Sequence, residues 1–460
     1  MSTALVITNG NVLHDGTLSP LDIAVAGGRV VALGVHGAFP DAVRTLDARG
    51  LLVLPGAIDS HFHVRGPAHP ERETFATATQ AAAAGGVTTI IEMPIASPPA
   101  INGASVQARM DAAAPALYVD IGFYSSCATG QRDDLTSAIA ASALAFKAFL
   151  QSVPPGREDE FNGLCLPTNR ELLAAFQLLR EFDLPCVFHP EDEAMLQLRE
   201  AQLKAAGRRD GLAHAEARPD YVEAVSVGTL LRLAEAFGVH LHVPHVSSGM
   251  TAHLIREAKA RGARVTAETC PHYLAFDSEA LARLGPYAKC NPPLKTTADR
   301  DALWDAVWDG TIDTLASDHA PFTVVEKERA REDIWLAPPG FPGGEVLVPY
   351  AVGAALTGEL SWARVTEMLY TNPAQLFGLW PRKGSLAPGA DADIVLYDPH
   401  DIGVFDHHTF HTKAAATALI WDGVPRTGAV THTLLRGETV FADGTIVGQA
   451  GAGRVQRRGN

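Results

Sequence analysis

The stretch AIDSHFHVRG, residues 57–66, places two histidines at the end of an apolar run, with an arginine close behind them. Side chains alternate along a strand, so His61 and His63 would face the same side and could grip one cation. Neutral imidazole suits Zn, Mn, Fe or Co. Two histidines at this spacing are common, so the pair by itself indicates a metal site only weakly.

Metal-capable side chains recur at the ends of other apolar runs. A single histidine at a strand end is more often a hydrogen-bonded structural residue than a metal ligand. Four histidines and an aspartate at the ends of strand-like runs argue against coincidence, and an added carboxylate suits the same cations. The sequence therefore predicts a metal centre whose further members are Lys147, His189, His245 and Asp318, with His319 beside Asp318.

Lys147 interrupts the apolar run ALAFKAFL. One interpretation is a lysine whose ammonium reaches solvent from the strand end. The other is chemical, because desolvation lowers the pKa of a buried lysine and frees the neutral amine. A neutral amine can take up carbon dioxide and become a carbamate, whose two oxygens could bridge two cations.

Asp318 lies in the stretch ASDHAP, directly after an apolar run. A carboxylate beside an activated water could accept its proton and pass it to a leaving nitrogen. Asp318 is therefore the predicted general base, and a helix-capping or turn aspartate is the alternative interpretation.

The middle of the chain alternates eight apolar runs of strand length with helix-period segments. Such a pattern favours a parallel (β/α)8 barrel, an α/β fold whose active site lies at the carboxyl ends of the strands. Among the helical segments, Thr168 and Glu171 are spaced as a capping box. The strand candidates are LLVLPGAIDSHFHV, GVTTIIEMP, LYVDIGFYS, ALAFKAFL, LPCVFHPE, VHLHVPHVSS, ARVTAETCPHYL and IDTLASDHAPF.

Both ends of the chain alternate apolar and polar residues between glycine turns, which is typical of short antiparallel strands. We expect the two ends to meet as a small β-domain. The predicted division is residues 1–53 for its first part, 54–383 for the barrel, and 384–460 for its second part and a tail.

Composition excludes several classes of protein. The chain has 460 residues, and 37 basic against 52 acidic residues give a net charge of −15. Without a basic stripe, this charge argues against nucleic acid or an anionic membrane as a partner. The N-terminus shows no signal-peptide pattern and the five cysteines are scattered, so we expect a cytoplasmic protein with reduced thiols.

The motifs taken together resemble the amidohydrolase superfamily, and within it the cyclic amidases: hydantoinase, dihydropyrimidinase, allantoinase and dihydroorotase. The resemblance covers nearly the whole chain and implies a distorted TIM barrel with a β-sandwich domain built from both termini. The motifs are PGAIDSHFHV, AAAAGGVTTIIEMP, FKAFL, HPEDE, HVSS, TAETCPHYL, KCNPPLK, SDHAP, APPGFPGGE, NPAQLFGL and KGSLAPGADADIV.

The resemblance implies two divalent cations, with zinc foremost and Mn, Co or Fe as alternatives. His61, His63 and Asp318 would hold the more buried cation, and His189 and His245 the second. Lys147 matches the carboxylated lysine that bridges both. A bridging hydroxide would then open a ring amide to an N-carbamoyl amino acid or a related acid, with Asp318 passing the proton to the leaving nitrogen.

The choice of substrate within the family rests on fewer residues. Arg65 resembles the arginine with which dihydroorotases bind the substrate carboxylate, although Ile95 replaces the asparagine that accompanies it there. An ion pair of Arg65 with Glu71 or Glu73 at the surface is the alternative. The backbone of Pro339–Gly340 and the residue Asn291 match stretches that hold the cyclic ring.

An L-hydantoinase-like pattern fits best, because EMPI is followed by PP and a WDGVPRTGA segment precedes the tail. Ile95 would suit an uncharged ring substituent. Allantoinase is the second interpretation and dihydroorotase the third. A catalytically silent scaffold of the dihydroorotase type is the non-enzymatic alternative, and the complete ligand set argues against it. Family analogy implies a homo-oligomer, either a tetramer or a dimer.

Overall fold

The computed structural model describes residues 4–459, and this part of the chain opens with five short strands. Asp15 and Gly16 form the first turn with φ of 48° and 74°, the left-handed conformation that a two-residue hairpin requires. The predicted antiparallel strands at this end are confirmed. They are β1 (Leu5–His14), β2 (Thr17–Ala26), β3 (Arg29–Gly34), β4 (Arg44–Asp47) and β5 (Leu52–Pro55).

Eight parallel strands follow, and each pairs with the next one along the chain. The first and last of them meet through a bridge between Phe62 and His319, where the His63 N–H donates to the His319 carbonyl at 2.9 Å. All eight predicted strands and the barrel are confirmed. The strands are β6 (Ala57–Phe62), β7 (Val87–Glu92), β8 (Asp120–Ser126), β9 (Ala145–Phe149), β10 (Cys186–His189), β11 (Leu241–Val243), β12 (Val265–Thr269) and β13 (Thr314–Leu315).

The C-terminal strands join the N-terminal ones in a nine-stranded sheet of order β17-β16-β15-β14-β5-β1-β2-β3, with β4 beside β1. Ile7, Ile23, Val53, Ile394 and Leu434 belong to a core that lies within this sheet domain. The predicted β-sandwich domain from both termini is confirmed. Its last strands are β14 (Ile394–Val404), β15 (Pro425–Leu435), β16 (Glu438–Ala442) and β17 (Thr445–Ile446).

The chain passes from this domain into the barrel at Gly56, between β5 and β6. An added Cβ at Gly56 would lie 2.1 Å from the Thr88 hydroxyl, so the close approach of the two segments requires glycine. We propose Gly56 as the first domain boundary, three residues beyond the expected one, and keep the second boundary near residue 383.

Helices surround the barrel, and the predicted capping box between Thr168 and Glu171 is confirmed at the start of α5. No helix in residues 4–459 is long and apolar enough to cross a membrane. The helices are α1 (Phe75–Ala84), α2 (Gly103–Ala113), α3 (Arg132–Ala140), α4 (Glu158–Phe161), α5 (Asn169–Leu179), α6 (Glu193–Ala205), α7 (Gly211–Ala217), α8 (Asp220–Phe237), α9 (Gly249–Ala260), α10 (Pro271–Ala275), α11 (Glu279–Leu284), α12 (Thr297–Trp308), α13 (Val324–Glu328), α14 (Leu347–Leu356), α15 (Trp362–Thr366) and α16 (Asn372–Leu376).

A buried charge network joins the two domains at the amino end of the barrel strands. The Lys383 ammonium contacts the carboxylates of Asp120, Asp391 and Asp393, and all four side chains are buried. Arg436 donates to both Asp120 oxygens at 2.8 and 2.9 Å. Asp120 opens β8, whereas the other members precede or belong to the terminal sheet, so the network ties the sheet to the base of the barrel.

Replacing Lys383 by Met should destabilise the fold strongly, because it removes the one cation that all three buried carboxylates contact. The free energy of unfolding should fall by about 3–5 kcal/mol, as for other buried ion pairs that lose one partner. Urea titration followed by circular dichroism measures the change. The matched control is Lys204→Met, whose exposed ammonium pairs with Glu200 at 3.1 Å and should change stability by less than about 1 kcal/mol. An equally small decrease in the free energy of unfolding in both variants would contradict a stabilising role for the network.

Candidate metal centre and substrate pocket

Three of the predicted ligands meet where the barrel closes. The Nε2 atoms of His61 and His63 lie 3.3 and 3.2 Å from the same oxygen of Asp318. The two histidines project to one side because they are two positions apart on and just beyond β6, as the alternation predicts. Asp318 follows β13 with a φ of 46°, a conformation that is uncommon outside glycine and typical of functional sites. These three side chains could together hold one metal ion.

The Asp318 carboxylate is suited to accepting a proton. Burial would raise its pKa, but the nearby His61 and a hydrogen bond from His63 lower that pKa to about 2. The side chain is therefore ionised at neutral pH, as a general base or an anionic ligand must be.

A second carboxylate fixes the orientation of His61 from behind. Glu268 on β12 lies 2.9 Å from His61 Nδ1, accepts a hydrogen bond from Ser60, and lies 3.5 Å from His242 Nε2. Because Nδ1 contacts Glu268, Nε2 is the ring nitrogen that faces Asp318. Carboxylates orient metal-ligating histidines in this way. His242 thus shares with His61 the support of the Glu268 carboxylate.

The other two predicted histidines form a second pair. His189 Nδ1 and His245 Nε2 lie 3.1 Å apart, and the ring centroids of His61 and His245 are 5.3 Å apart. His189 Nε2 contacts Glu191 at 2.9 Å, and Arg218 donates to the same carboxylate oxygen at 2.7 Å. The second pair therefore lies beside the first group and has its own carboxylate support.

Lys147 lies among these ligands on β9, between β8 and β10. Its side chain is 1% exposed, and its ammonium has no hydrogen-bond partner among the described residues. Burial lowers its pKa to about 8. The interpretation as a lysine that reaches solvent is therefore wrong, since the side chain is buried.

Several buried polar atoms around this centre lack partners in the described part of the chain. Buried polar groups are nearly always paired, so an orphan group indicates a ligand, an ion or a water. These groups belong to the loops and strands at the barrel mouth, which makes them candidates for contact with a substrate. They are Lys147 Nζ, Arg65 Nε and Nη1, Asn291 Oδ1 and both ring nitrogens of His272.

Arg65 does not form the surface ion pair that the sequence left open. Its side chain is 4% exposed, and its guanidinium lies 4.9 Å above the ring of Phe322. Glu71 instead pairs with His69 at 3.3 Å, and Glu73 is buried against Thr412. Arg65 is thus a desolvated cation near Asp318 and is available to an anion.

Ile95 contributes to an apolar wall of the pocket. It packs in a cluster with Phe149, Phe161 and Leu164. The Phe149 ring lies 5.3 Å from Lys147 Nζ and 5.7 Å from the centroid of the His189 ring. The wall therefore borders the metal centre and would accommodate an apolar part of a substrate.

The loop at Pro339 and Gly340 differs in one respect from the expectation that its backbone holds the cyclic ring. The Gly340 N–H already donates to the Lys289 carbonyl at 2.8 Å, and proline has no N–H. Main-chain donors are therefore not available to a ring at these two residues. Their carbonyl groups remain as acceptors.

Sequence reasoning missed Glu268 and Glu191, which support the candidate ligands. Glu268 could have been found as a lone carboxylate in a strand-like run, ARVTAETC, whose other neighbours are small or apolar. His319, beside Asp318, turns away from the candidate ligands. Its ring stacks on Phe62 with 4.2 Å between centroids, and its Nδ1 accepts the N–H of Gly344 at 3.2 Å.

The chain is similar to enzymes of known activity over its whole length. It is 32% identical over 458 residues to the L-hydantoinase of Paenarthrobacter aurescens, which covers 99% of this chain and 98% of that protein. It is 34% identical over 458 residues to the allantoinase of Rubrobacter xylanophilus, with 98% and 97% covered.

Solved structures agree with this result. The structure of the L-hydantoinase (dihydropyrimidinase) from Arthrobacter aurescens matches with a TM-score of 0.94, 32% identity, and 99% and 100% of the two chains covered. The dihydropyrimidinase from Brevibacillus agri matches with a TM-score of 0.90, 29% identity and 98% of both chains covered. The sequence pattern of the amidohydrolase family matches residues 52–440. With this match and these relatives, the chain belongs to the amidohydrolase family.

Proposed function

We propose that this protein is a metal-dependent hydrolase that opens the ring amide of a hydantoin-like cyclic ureide or imide. The observation that carries the proposal is the convergence of four histidines, an aspartate and a partnerless lysine in one buried pocket. Relatives named hydantoinase and allantoinase match the chain from end to end, which agrees with this chemistry. Retention of the full set of candidate ligands argues against a silent scaffold.

Metal dependence is typical of the family, and His61, His63 and Asp318 lie close enough together to hold one divalent cation. His61, His63 and Asp318 would hold one cation, and His189 and His245 the other. Imidazole and carboxylate donors favour zinc, with Mn, Co and Fe as alternatives. When bound, the pair would supply Lewis acidity, lowering the pKa of water and polarising a carbonyl group.

Lys147 would complete this centre after carboxylation. Its neutral amine would attack carbon dioxide and lose a proton, giving a carbamate with one negative charge. Burial favours this reaction, because an amine with a pKa of about 8 is neutral far more often at neutral pH than an ordinary lysine. The new charge would be matched by the cations on either side.

Asp318 would carry the proton during ring opening. Its carboxylate would accept a proton from the attacking water and deliver it to the departing ring nitrogen as the carbon–nitrogen bond breaks. A hydantoin would give an N-carbamoyl amino acid. Glu268 would keep His61 fixed throughout, because it holds Nδ1 and prevents rotation of the ring.

Two features of the pocket bear on the substrate. The apolar wall at Ile95 supports an uncharged substituent on the ring, as in a substituted hydantoin. The buried and unpaired Arg65 favours a second candidate, a ring that carries a carboxylate, as dihydroorotate does. Allantoin is the third candidate. The homo-oligomeric assembly and the cytoplasmic location stay predictions from the sequence.

A substrate panel on zinc-loaded enzyme tests the proposal. We expect hydrolysis of at least one member among substituted hydantoins of both hands, allantoin, dihydrouracil, dihydroorotate and a cyclic imide. The Asp318→Asn protein, prepared in the same way, should lose about 10²–10⁴-fold in turnover, because the proton acceptor is gone. Failure of every ring, or unchanged turnover in Asp318→Asn, would refute the assignment.

The Lys147→Ala variant should purify with little bound metal, because the bridging ligand is missing. Adding a short carboxylic acid such as propionate should restore part of the metal content and the activity, since its carboxylate can enter the space left by the side chain. Metal analysis by mass spectrometry measures this. Wild-type metal loading in the variant without added acid would exclude a bridging role.

The Arg65→Gln variant separates the two substrate classes. If the ring bears a carboxylate, KM should rise by about tenfold or more while kcat changes little, because a charge-assisted hydrogen bond is lost. For a neutral hydantoin, KM should stay within about threefold of the wild-type value. An equal rise in KM for a neutral ring and for a carboxylated ring would show that Arg65 only supports the pocket wall.

A further inference from the structure

Arg109 is a buried arginine on α2 that the proposed reaction does not use. Its side chain is 5% exposed, and its guanidinium contacts the Glu92 carboxylate through Nε at 3.3 Å and through Nη2. Nη1 donates to the Gly66 carbonyl at 2.7 Å, and Nη2 donates to the Val64 carbonyl at 3.3 Å. One guanidinium therefore joins a buried carboxylate to the backbone on both sides of Arg65.

The backbone around Arg65 is fixed, whereas its guanidinium is free. The Arg65 carbonyl accepts the N–H of His69 at 3.0 Å, and Arg109 holds the carbonyls of the residues before and after it. The Arg65 side chain has only the ring of Phe322 beneath it, and its Nε and Nη1 meet no hydrogen-bond acceptor in the described part of the chain. These N–H groups would be satisfied by an anion.

Glu92 is a carboxylate that would compete for Arg65 if Arg109 did not hold it. It ends β7, where its backbone pairs with Phe62, three residues before Arg65. Its side chain is 1% exposed, and burial raises its pKa to about 7 against the opposing effects of Arg109 and Arg65. An unpaired buried carboxylate is costly, so Glu92 without Arg109 would pair with the other cation that acts on it, which is Arg65.

The second glutamate near Arg65 is engaged in the same way. Burial lowers the pKa of Arg65 to about 9, and the charge of Glu160 opposes this change. Glu160 lies 3.3 Å from Arg72 and 3.2 Å from His69, and it also contacts Arg157. Each of these two glutamates thus has cations of its own, which leaves the free N–H groups of Arg65 to a ligand.

We propose that Arg109 is a positioning residue that keeps Arg65 open to the carboxylate of a ligand. It does so by holding Glu92 and by fixing the carbonyls of Val64 and Gly66. The inference rests on the proposed function and adds to it the residue that keeps the anion-binding group free. A ring that carries a carboxylate offers such an anion, and so does the N-carbamoyl acid formed from a hydantoin.

The binding of two probes to the zinc-loaded enzyme tests this inference. Dihydroorotate and dihydrouracil share a six-membered ureide ring and differ by one carboxylate, so the ratio of their dissociation constants reports on the anion site. Isothermal titration calorimetry measures both constants, and KM replaces the constant of a probe that is turned over. The wild type should bind dihydroorotate about tenfold or more tightly than dihydrouracil, as expected for charge-assisted hydrogen bonds.

In Arg109→Met, the preference for dihydroorotate should fall to about threefold or less, because Glu92 then pairs with Arg65. In the double variant Arg109→Met, Glu92→Gln the preference should return to within about threefold of the wild-type value, because the competing carboxylate is gone. A role confined to stability would weaken the binding of both probes equally. The matched control is Arg132→Met, which removes an exposed ion pair with Glu181 and should leave the preference unchanged.

A wild-type preference in Arg109→Met, or a double variant that does not regain it, would overturn the inference. A wild type that binds both probes equally would overturn it as well, because Arg65 would then bind no anion. If Arg109→Met does not fold, as judged by circular dichroism, Arg109→Gln is used with the same criteria. A wild type that prefers dihydroorotate but opens no ring defeats the proposed function instead, so the two failures are distinct.

Discussion

The contact between β6 and β13 is the constraint on which the site depends. These strands are the first and last of the barrel, and they meet through the bridge between Phe62 and His319 and through the hydrogen bonds that Ser317 donates to the Asp59 carboxylate. The ligands His61 and His63 leave one strand, and Asp318 leaves the other. A barrel that failed to close here would leave the aspartate without its histidines, however well the remaining strands paired.

Burial gives this site its chemistry and also makes it costly. Lys147 and Arg65 lie in the barrel mouth with N–H groups that find no hydrogen-bond acceptor within residues 4–459. Desolvated polar groups without partners destabilise a fold, so the rest of the molecule must offset them. The paired networks do so, and the one at Lys383 lies at the opposite end of the strands, where its members are satisfied. Unpaired groups thus concentrate at the end of the barrel that would bind ligand.

Buried charges hold two of the candidate ligands and one loop near the barrel mouth. Glu268 holds His61, Glu191 with Arg218 holds His189, and Lys327 holds residues 338–340. These groups differ in type but share a function. Each one stabilises a single rotamer or loop conformation before the substrate binds. Such preorganisation avoids the cost of ordering the groups on binding.

Much of this arrangement could be predicted from the chain alone. The period of two in HFH placed His61 and His63 on one face, and runs of apolar residues located all eight barrel strands. The supporting residues escaped because their role depends on contacts across the chain. Glu268 is 207 positions from His61, and no local pattern joins them. For Arg65 the sequence left two alternatives open, a surface ion pair and a substrate-binding role, because sequence alone does not report burial.

The sequence by itself determined the fold and placed the candidate ligands at the ends of strands, because alternation and hydrophobic runs are local properties of the chain. The tertiary structure decided which polar atoms lose water and which keep a partner. It showed Lys147 enclosed, Arg65 unpaired and the Gly340 N–H already in use. Desolvation depends on every segment that packs around an atom, so it exists only once the barrel has closed.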